Sequence, residues 1–165
     1  MSDFLKPTVI KLEPNWFKQG YYVYLVNIKY INKNFNYIGM TGDRKAIIAR
    51  SPFFRMSGHF NQRDGSSENQ ITKGLKKIIK PNLDFHEELG KMMITYYVYK
   101  IRNFDKKNHH EKRIATEQIE SWLILKFKDD NRIVFNGKIS NKPVEKTEKE
   151  AMPIYIDMLK RITYE

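Results

Sequence analysis

The sequence predicts a small α/β domain of the α+β type, with a central, mainly antiparallel sheet of about three strands flanked by helices. Two runs, Tyr21–Ile31 and Tyr37–Thr41, are crowded with β-branched and aromatic residues, and a third, Lys91–Ile101, repeats that composition. Further along the chain Ala115, Ile119, Trp122 and Leu123 recur at helical spacing, so one face of a long helix belongs to a core. At 165 residues the chain fits one domain with a sizeable core of its own.

Residues 1–19, with Pro7 and Pro14, read as a leader draped on that core. The first strand runs from Tyr21 to Ile31, "NKNFN" supplies turn residues, and "YIGMT" is the second strand of a hairpin. With side chains alternating along a strand, Tyr22, Tyr24 and Tyr30 share one face and Tyr21 points away. After Gly42 a helical stretch is expected from near Asp43, followed by a new helix with Ser51 as N-cap and Pro52 at the first helical position.

"NQRDGSSENQ" is a polar loop, and "ITKGLKKIIK" a short basic amphipathic helix ended by Pro81; residues 61–80 together read as an insertion. The third strand, with Tyr96, Tyr97 and Tyr99 at sheet core and edge, leads through "NFDKKNHHEK" into the longest helix, near Lys112–Lys128. His109, His110 and Glu111 fall in that polar loop, where adjacent residues do not converge on one ion. A short strand "RIVFN" follows, and residues 137–165 form an extension whose helix starts at about Met152, with Pro153 in its first turn.

Charge narrows the partners. Thirty Lys and Arg against nineteen Asp and Glu give a formal charge of +11, spread along the chain, which is the footprint of a polyanion binder. Nucleic acid comes first among such partners. The absence of cysteine removes disulfides, thiolate zinc sites and cysteine nucleophiles, so any chemistry uses oxygen and nitrogen. No apolar run approaches the ~18 residues of a membrane span and the first residues lack the pattern of a signal peptide, so no membrane partner and a cytoplasmic location are expected.

Two strands carrying Tyr22-Val23-Tyr24 and Tyr37-Ile38-Gly39, then an arginine on a helix and a carboxylate on a later one, resemble the GIY-YIG nuclease superfamily. Twelve residues separate Tyr24 from Tyr37; the alternative frame, Gly20-Tyr21-Tyr22, leaves fourteen. The family's usual gap favours Tyr24. "SPFFRMSGHF" is similar to the family's arginine helix, with Arg55 and His59 one turn apart and Arg50 as the rival arginine. "ATEQIESWLILKF" looks like its carboxylate helix, with Glu120 first and Glu117 second. Asn136 resembles the asparagine that closes the core. The resemblance covers residues 22–136.

Phosphodiester hydrolysis needs an activated water, a cation for the charge on the phosphate and help for the leaving oxygen, usually from a bound metal. The resemblance implies Tyr24 as general base with Tyr37 assisting, Arg55 on the scissile phosphate, His59 as an active-site contact or a structural hydrogen-bonder, and Glu120 as ligand to Mg²⁺ or Mn²⁺. One carboxylate suffices for Mg²⁺, which takes its remaining oxygens from phosphate and water. A free phenol is only about one part in a thousand ionised at neutral pH. Nearby cations and the field of a metal site are expected to raise that fraction.

Gly39 is expected to bend its strand or let substrate approach. Arg50, Lys73, Lys76, Lys77 and Asn136 complete the expected substrate-binding set. The expected function is metal-dependent endonucleolytic cleavage of double-stranded DNA by a compact enzyme of restriction or phage type, since the chain as read to Glu165 carries no long DNA-reading tail. A non-cleaving nucleic-acid-binding module on the same fold and an RNA nuclease are the alternatives.

Overall fold

The computed structural model describes residues 10–59, 70–137, 139 and 141–164. The fold is α+β: a four-stranded mixed sheet ordered β3-β1-β2-β4, flanked by five helices. The central strand β1 (Gly20–Tyr30) pairs antiparallel with both β2 (Lys33–Met40) and β3 (Met93–Asn103). The fourth strand, β4 (Ile133–Val134), adds two residues parallel to β2 at Phe35 and Asn36. It enlarges the three-stranded sheet expected from composition. Its "RIVFN" stretch is β-prone, but only two of those residues reach a partner.

The hairpin turn lies earlier than expected. Ile31 and Asn32 both have positive φ, 46° and 59°, as a two-residue hairpin loop of the kind matched to strand twist requires. "NKNFN" is therefore largely strand. Asn27 and Asn36, polar residues that read as turn formers, face each other across the pair and share a buried amide hydrogen bond of 3.0 Å. That bond satisfies groups whose burial would otherwise be costly.

The two sheet faces carry separate cores. Val23, Leu25 and Ile38 face the long helices α4 (His109–Asp129) and α5 (Glu145–Tyr164), where Ile119, Leu123, Phe127, Ala151, Tyr155 and Met158 are buried. Tyr24, Val26, Ile28, Tyr30, Phe35 and Tyr37 face the other way, onto Ile71, Leu75 and Ile79 of and just after α2 (Gln70–Ile78). Each such aliphatic side chain contributes about 1.5–3 kcal/mol on burial. Gly74 sits in the middle of α2, where glycine costs about 0.5–1 kcal/mol relative to alanine. A Cβ there would lie 2.5 Å from the Phe135 ring, so the glycine lets helix and sheet edge close up.

Three helical boundaries differ from expectation. Residues 43–50 form no helix, with bends at 44–47, because the Asp43 carboxylate accepts the N–H groups of Lys45 and Ala46 and the Asp43 N–H bonds Ile48 O at 2.9 Å. An aspartate that binds the backbone just after itself competes with helix formation. α1 (Pro52–His59) begins at the expected proline. α5 starts eight residues before Pro153, at Glu145, where Thr147 and Val144 exchange hydrogen bonds through the Thr147 hydroxyl and N–H. Pro153 lies inside the helix, and the buried Ala151, Tyr155, Met158 and Ile162 offset the bond it removes.

A short helix absent from the sequence reading, α3 (Phe85–Leu89), is capped by Asp84, whose carboxylate accepts from His86 and Glu87 N–H. α4 begins three residues before the expected Lys112, so His109 lies on a helix and not in a polar loop. The leader up to Val9 and most of the polar loop, residues 61–69, lie outside the described residues. No helix among the described residues is long and apolar enough to cross a membrane.

Candidate active site

Strand register brings the two tyrosines together. Tyr24 is opposite Gly39 and Tyr37 is opposite Val26, so both phenols project from the same face of the hairpin. Their ring centroids are 6.3 Å apart. Tyr24 lies flat across Gly39: a Cβ there would collide with its ring and hydroxyl. The expected bend or substrate approach at Gly39 is replaced by this packing role.

Helix α1 supplies the next two groups from one turn of its length. His59, at its last position, is buried, and its Nε2 lies 2.8 Å from the Tyr24 hydroxyl. Its ring also packs edge-on to Tyr37 at 5.2 Å and stacks against Tyr96 from β3 at 6.5 Å. Arg55, one turn earlier, directs its guanidinium to the Tyr24 hydroxyl and stabilises charge on both phenols. Glu120 on α4 completes the group, close enough to act electrostatically on Tyr24, Tyr37 and Arg55. Four elements separated by as many as 96 residues (Tyr24 to Glu120) therefore converge on one spot.

Burial sets the protonation of this cluster. It raises the Tyr24 phenol above its ordinary value, and although Arg55 opposes the rise, Glu120 adds to it. Tyr37 is raised as well, by burial first and then by Tyr24 and Glu120. The expectation that nearby cations would enrich phenolate fails in the free protein, because desolvation outweighs Arg55. His59 is lowered to about 4 by burial and by Arg55, so it is neutral at pH 7. Glu120 is raised to about 8 by burial and by the Glu117 charge, against the pull of Arg55 and Arg44. Although its side chain keeps some solvent exposure, the carboxylate is crowded by protein atoms. Burial thus favours the uncharged forms of both phenols, the imidazole and the Glu120 carboxyl, with Arg55 the group that acts on all four.

The rival residues occupy other places. Arg50 is exposed and acts on Asp43, with no influence on either tyrosine. Glu117, one turn before Glu120, is buried under Arg44, Arg113 and Asn141: Arg113 Nη1 donates at 2.9 Å, Arg44 Nε at 3.1 Å, and Arg44 Nη2 and Asn141 Nδ2 bond it too. Glu120 has no hydrogen-bond or ion-pair partner among the described residues. In the alternative tyrosine frame, Tyr21 donates to or accepts from His109 Nδ1 at 2.8 Å, and the Tyr22 hydroxyl reaches only Asn15 O at 3.5 Å. Neither joins the cluster.

Asn136, expected among the substrate-binding residues, is held to the backbone of β2. Its Oδ1 accepts the Ile38 N–H at 2.8 Å and its Nδ2 donates to Ile38 O at 2.6 Å, so the amide stands in for a missing strand beside β2. Both ends of the amide are committed to backbone between Tyr37 and Gly39. Lys73, Lys76 and Lys77 lie on the exposed face of α2, outside the cluster, and Lys76 also sits 5.9 Å over the Phe85 ring. Sequence reasoning missed Tyr96, Arg44, Arg113 and Asn141. Only Arg113 carried a local signal, its i,i+4 spacing to Glu117.

For a metal, the donor set is sparse. Among the described residues no group of three or more His, Asp or Glu side chains could hold an ion. Glu120, a carboxyl raised by burial and by the Glu117 charge, does fit an ion that takes one protein ligand and completes its shell with water and phosphate oxygens. No protein-family model, curated protein or solved structure matches the chain.

Proposed function

We propose that the protein is a metal-dependent endonuclease of the GIY-YIG type, hydrolysing phosphodiester bonds in DNA. The observation that carries this reading is the convergence of Tyr24, Tyr37, Arg55, His59 and Glu120, from four separate elements, where the Arg55 guanidinium acts on both phenols and on the carboxyl. Packing alone explains a tyrosine cluster. It does not explain a glutamate near enough to act on both phenols that has no hydrogen-bond or ion-pair partner among the described residues.

The chain's own groups divide the work. Arg55 offers a planar fork of donors to the scissile phosphate and lies against the Tyr24 hydroxyl, so phosphate binding and phenol orientation share one side chain. Tyr24 takes the proton of the attacking water once ionised. Its phenolate is held by Arg55 and, in the tautomer that protonates Nε2, by the His59 N–H at 2.8 Å. Tyr37 packs beside the Tyr24 ring, and both Tyr37 and Tyr96 pack on the His59 ring, which holds the imidazole against the Tyr24 hydroxyl. Mg²⁺ or Mn²⁺ held by Glu120 would stabilise charge on the phosphate and the leaving oxygen. Glu120 must give up its proton to serve, which the arriving cation favours.

The test is incubation with supercoiled plasmid, single-stranded DNA and a duplex RNA, each with Mg²⁺, with Mn²⁺ and with chelator. Nicking or linearisation of plasmid in either metal, abolished by chelator, is expected. Binding without cleavage in every metal would overturn the reading in favour of a binding module, and cleavage confined to RNA would move the substrate class.

A further inference from the structure

A groove of about 480 Å³ runs between α2 and the segment Val134–Gly137. Lys73 and Lys77 form one rim, Ile78, Val134 and Phe135 the apolar floor, and Asn136 the far end. We infer that this groove is the track along which one sugar–phosphate backbone of the nucleic-acid substrate enters the site. The inference rests on the nuclease reading for its direction.

Charge is the first support. Among the described residues no Asp or Glu lines the groove, whereas the cleft between β3, α4 and α5 contains Glu111 and Glu150 beside its lysines. Lys73 and Lys77 are exposed and have no ion-pair partner among the described residues. Four positions apart on a helix, they stand one above the other on one face, about 5–6 Å apart at Cβ. Two such amines along a line suit successive phosphates, and the apolar floor suits the sugars between them.

Continuity is the second support. Asn136, at the groove's end, is clamped to both backbone groups of Ile38, whose neighbours are Tyr37 and Gly39. A strand lying in the groove is thereby delivered to the phenol cluster. The walls are also set in advance: Gly74 lets α2 close directly on the Phe135 ring, which stacks on Phe35 at 5.5 Å. The hairpin tip has a second cationic groove, lined by Lys29, Lys33 and Lys91, but it lies at the opposite end of the β1–β2 pair from Tyr24 and Gly39. It serves as the control.

The experiment measures the affinity of a fluorescent DNA duplex in chelator, so that cleavage does not intervene, across a series of salt concentrations. The Lys73→Gln/Lys77→Gln variant should bind more weakly, and its slope of log affinity against log salt should be shallower by about 1.8, two phosphate contacts at roughly 0.9 each. The Lys29→Gln/Lys33→Gln variant should keep the wild-type slope.

An unchanged slope in the Lys73/Lys77 variant, or an equal change in both variants, overturns the track. If the wild type cleaves and the slope is unchanged, the track alone fails. If the wild type binds with the expected slope change but cuts nothing in any metal, the nuclease reading fails and the track stands. Absence of any duplex binding overturns both.

Discussion

Glu117 and Glu120 sit one turn apart on α4 and differ in almost everything that surroundings can change. Glu117 is buried with two arginines and an asparagine amide on its oxygens; burial pushes its carboxyl up, but Arg44 and Arg113 together pull it below the ordinary value. Glu120 has no hydrogen-bond or ion-pair partner among the described residues, and burial with the neighbouring Glu117 charge raises it to about 8. The difference teaches how one helix can carry two carboxylates in opposite electrostatic settings. The compensated one holds α4 to the loop at Arg44, and its charge helps raise the other.

The first way to break the comparison is to remove the compensated member. Glu117→Ala leaves the buried Arg113 without its counter-charge and should cost about 3–5 kcal/mol of folding stability, read from urea denaturation. A loss under about 1 kcal/mol would show that Glu117 does not anchor the helix. Because the Glu117 carboxyl is lowered, its contribution is complete above the ordinary carboxylate range and disappears as pH falls through the depressed value.

The second sharpens the reactive side. Tyr24→Phe removes one oxygen beside Arg55 and His59 and keeps the ring over Gly39, so the fold and DNA affinity should persist while single-turnover cleavage falls about 10²- to 10⁴-fold. A wild-type rate in Tyr24→Phe together with a large loss in Tyr22→Phe would reassign the base. The Tyr22 hydroxyl makes only a long contact with Asn15, and its removal should be nearly silent.

A smaller effect of opposite sign separates the two glutamates without any substrate. The unfolded Glu120 titrates near its free value, about 4.3, and the folded one near 8. Between those limits the folded state binds more protons, so this group lowers stability as pH rises through the window. In chelator, Glu120→Gln should therefore be more stable than wild type at pH 8.5, by about 2 kcal/mol once partial exposure is allowed for, and equal to it near pH 4. Thermal melts at the two pH values check this. Destabilisation at pH 8.5 would mean that Glu120 is compensated after all.

Particular residues show how far the sequence reaches. Tyr24, Tyr37, Arg55 and His59 were singled out by resemblance; alternation places Tyr24 on one face of β1, but that Tyr37 shares this face follows only from the register that sets Tyr24 opposite Gly39 and Tyr37 opposite Val26. The choice of Glu120 over Glu117 was not legible, since it depends on Arg44, 73 residues away from Glu117, on a segment that reads as helix and is held in bends by Asp43. Asn136 was visible as an asparagine of the site's border but not as a backbone clamp, because its partner Ile38 is 98 residues distant. Pro153 misled the reading of α5, where burial of a long apolar stripe overrode a local rule. The Tyr21–His109 pair, bonded at 2.8 Å, escaped for the same reason as Arg44: 88 residues lie between its members.

The most direct measurement is single-turnover cleavage of an end-labelled duplex by wild type, Glu120→Gln and the exposed-face control Lys33→Gln, with binding measured in parallel. The account predicts Mg²⁺-dependent cleavage by wild type and Lys33→Gln, none above background by Glu120→Gln, and similar duplex affinity for all three. Cleavage by Glu120→Gln at the wild-type rate would contradict it, because the Glu120 carboxylate would then have no part in the reaction.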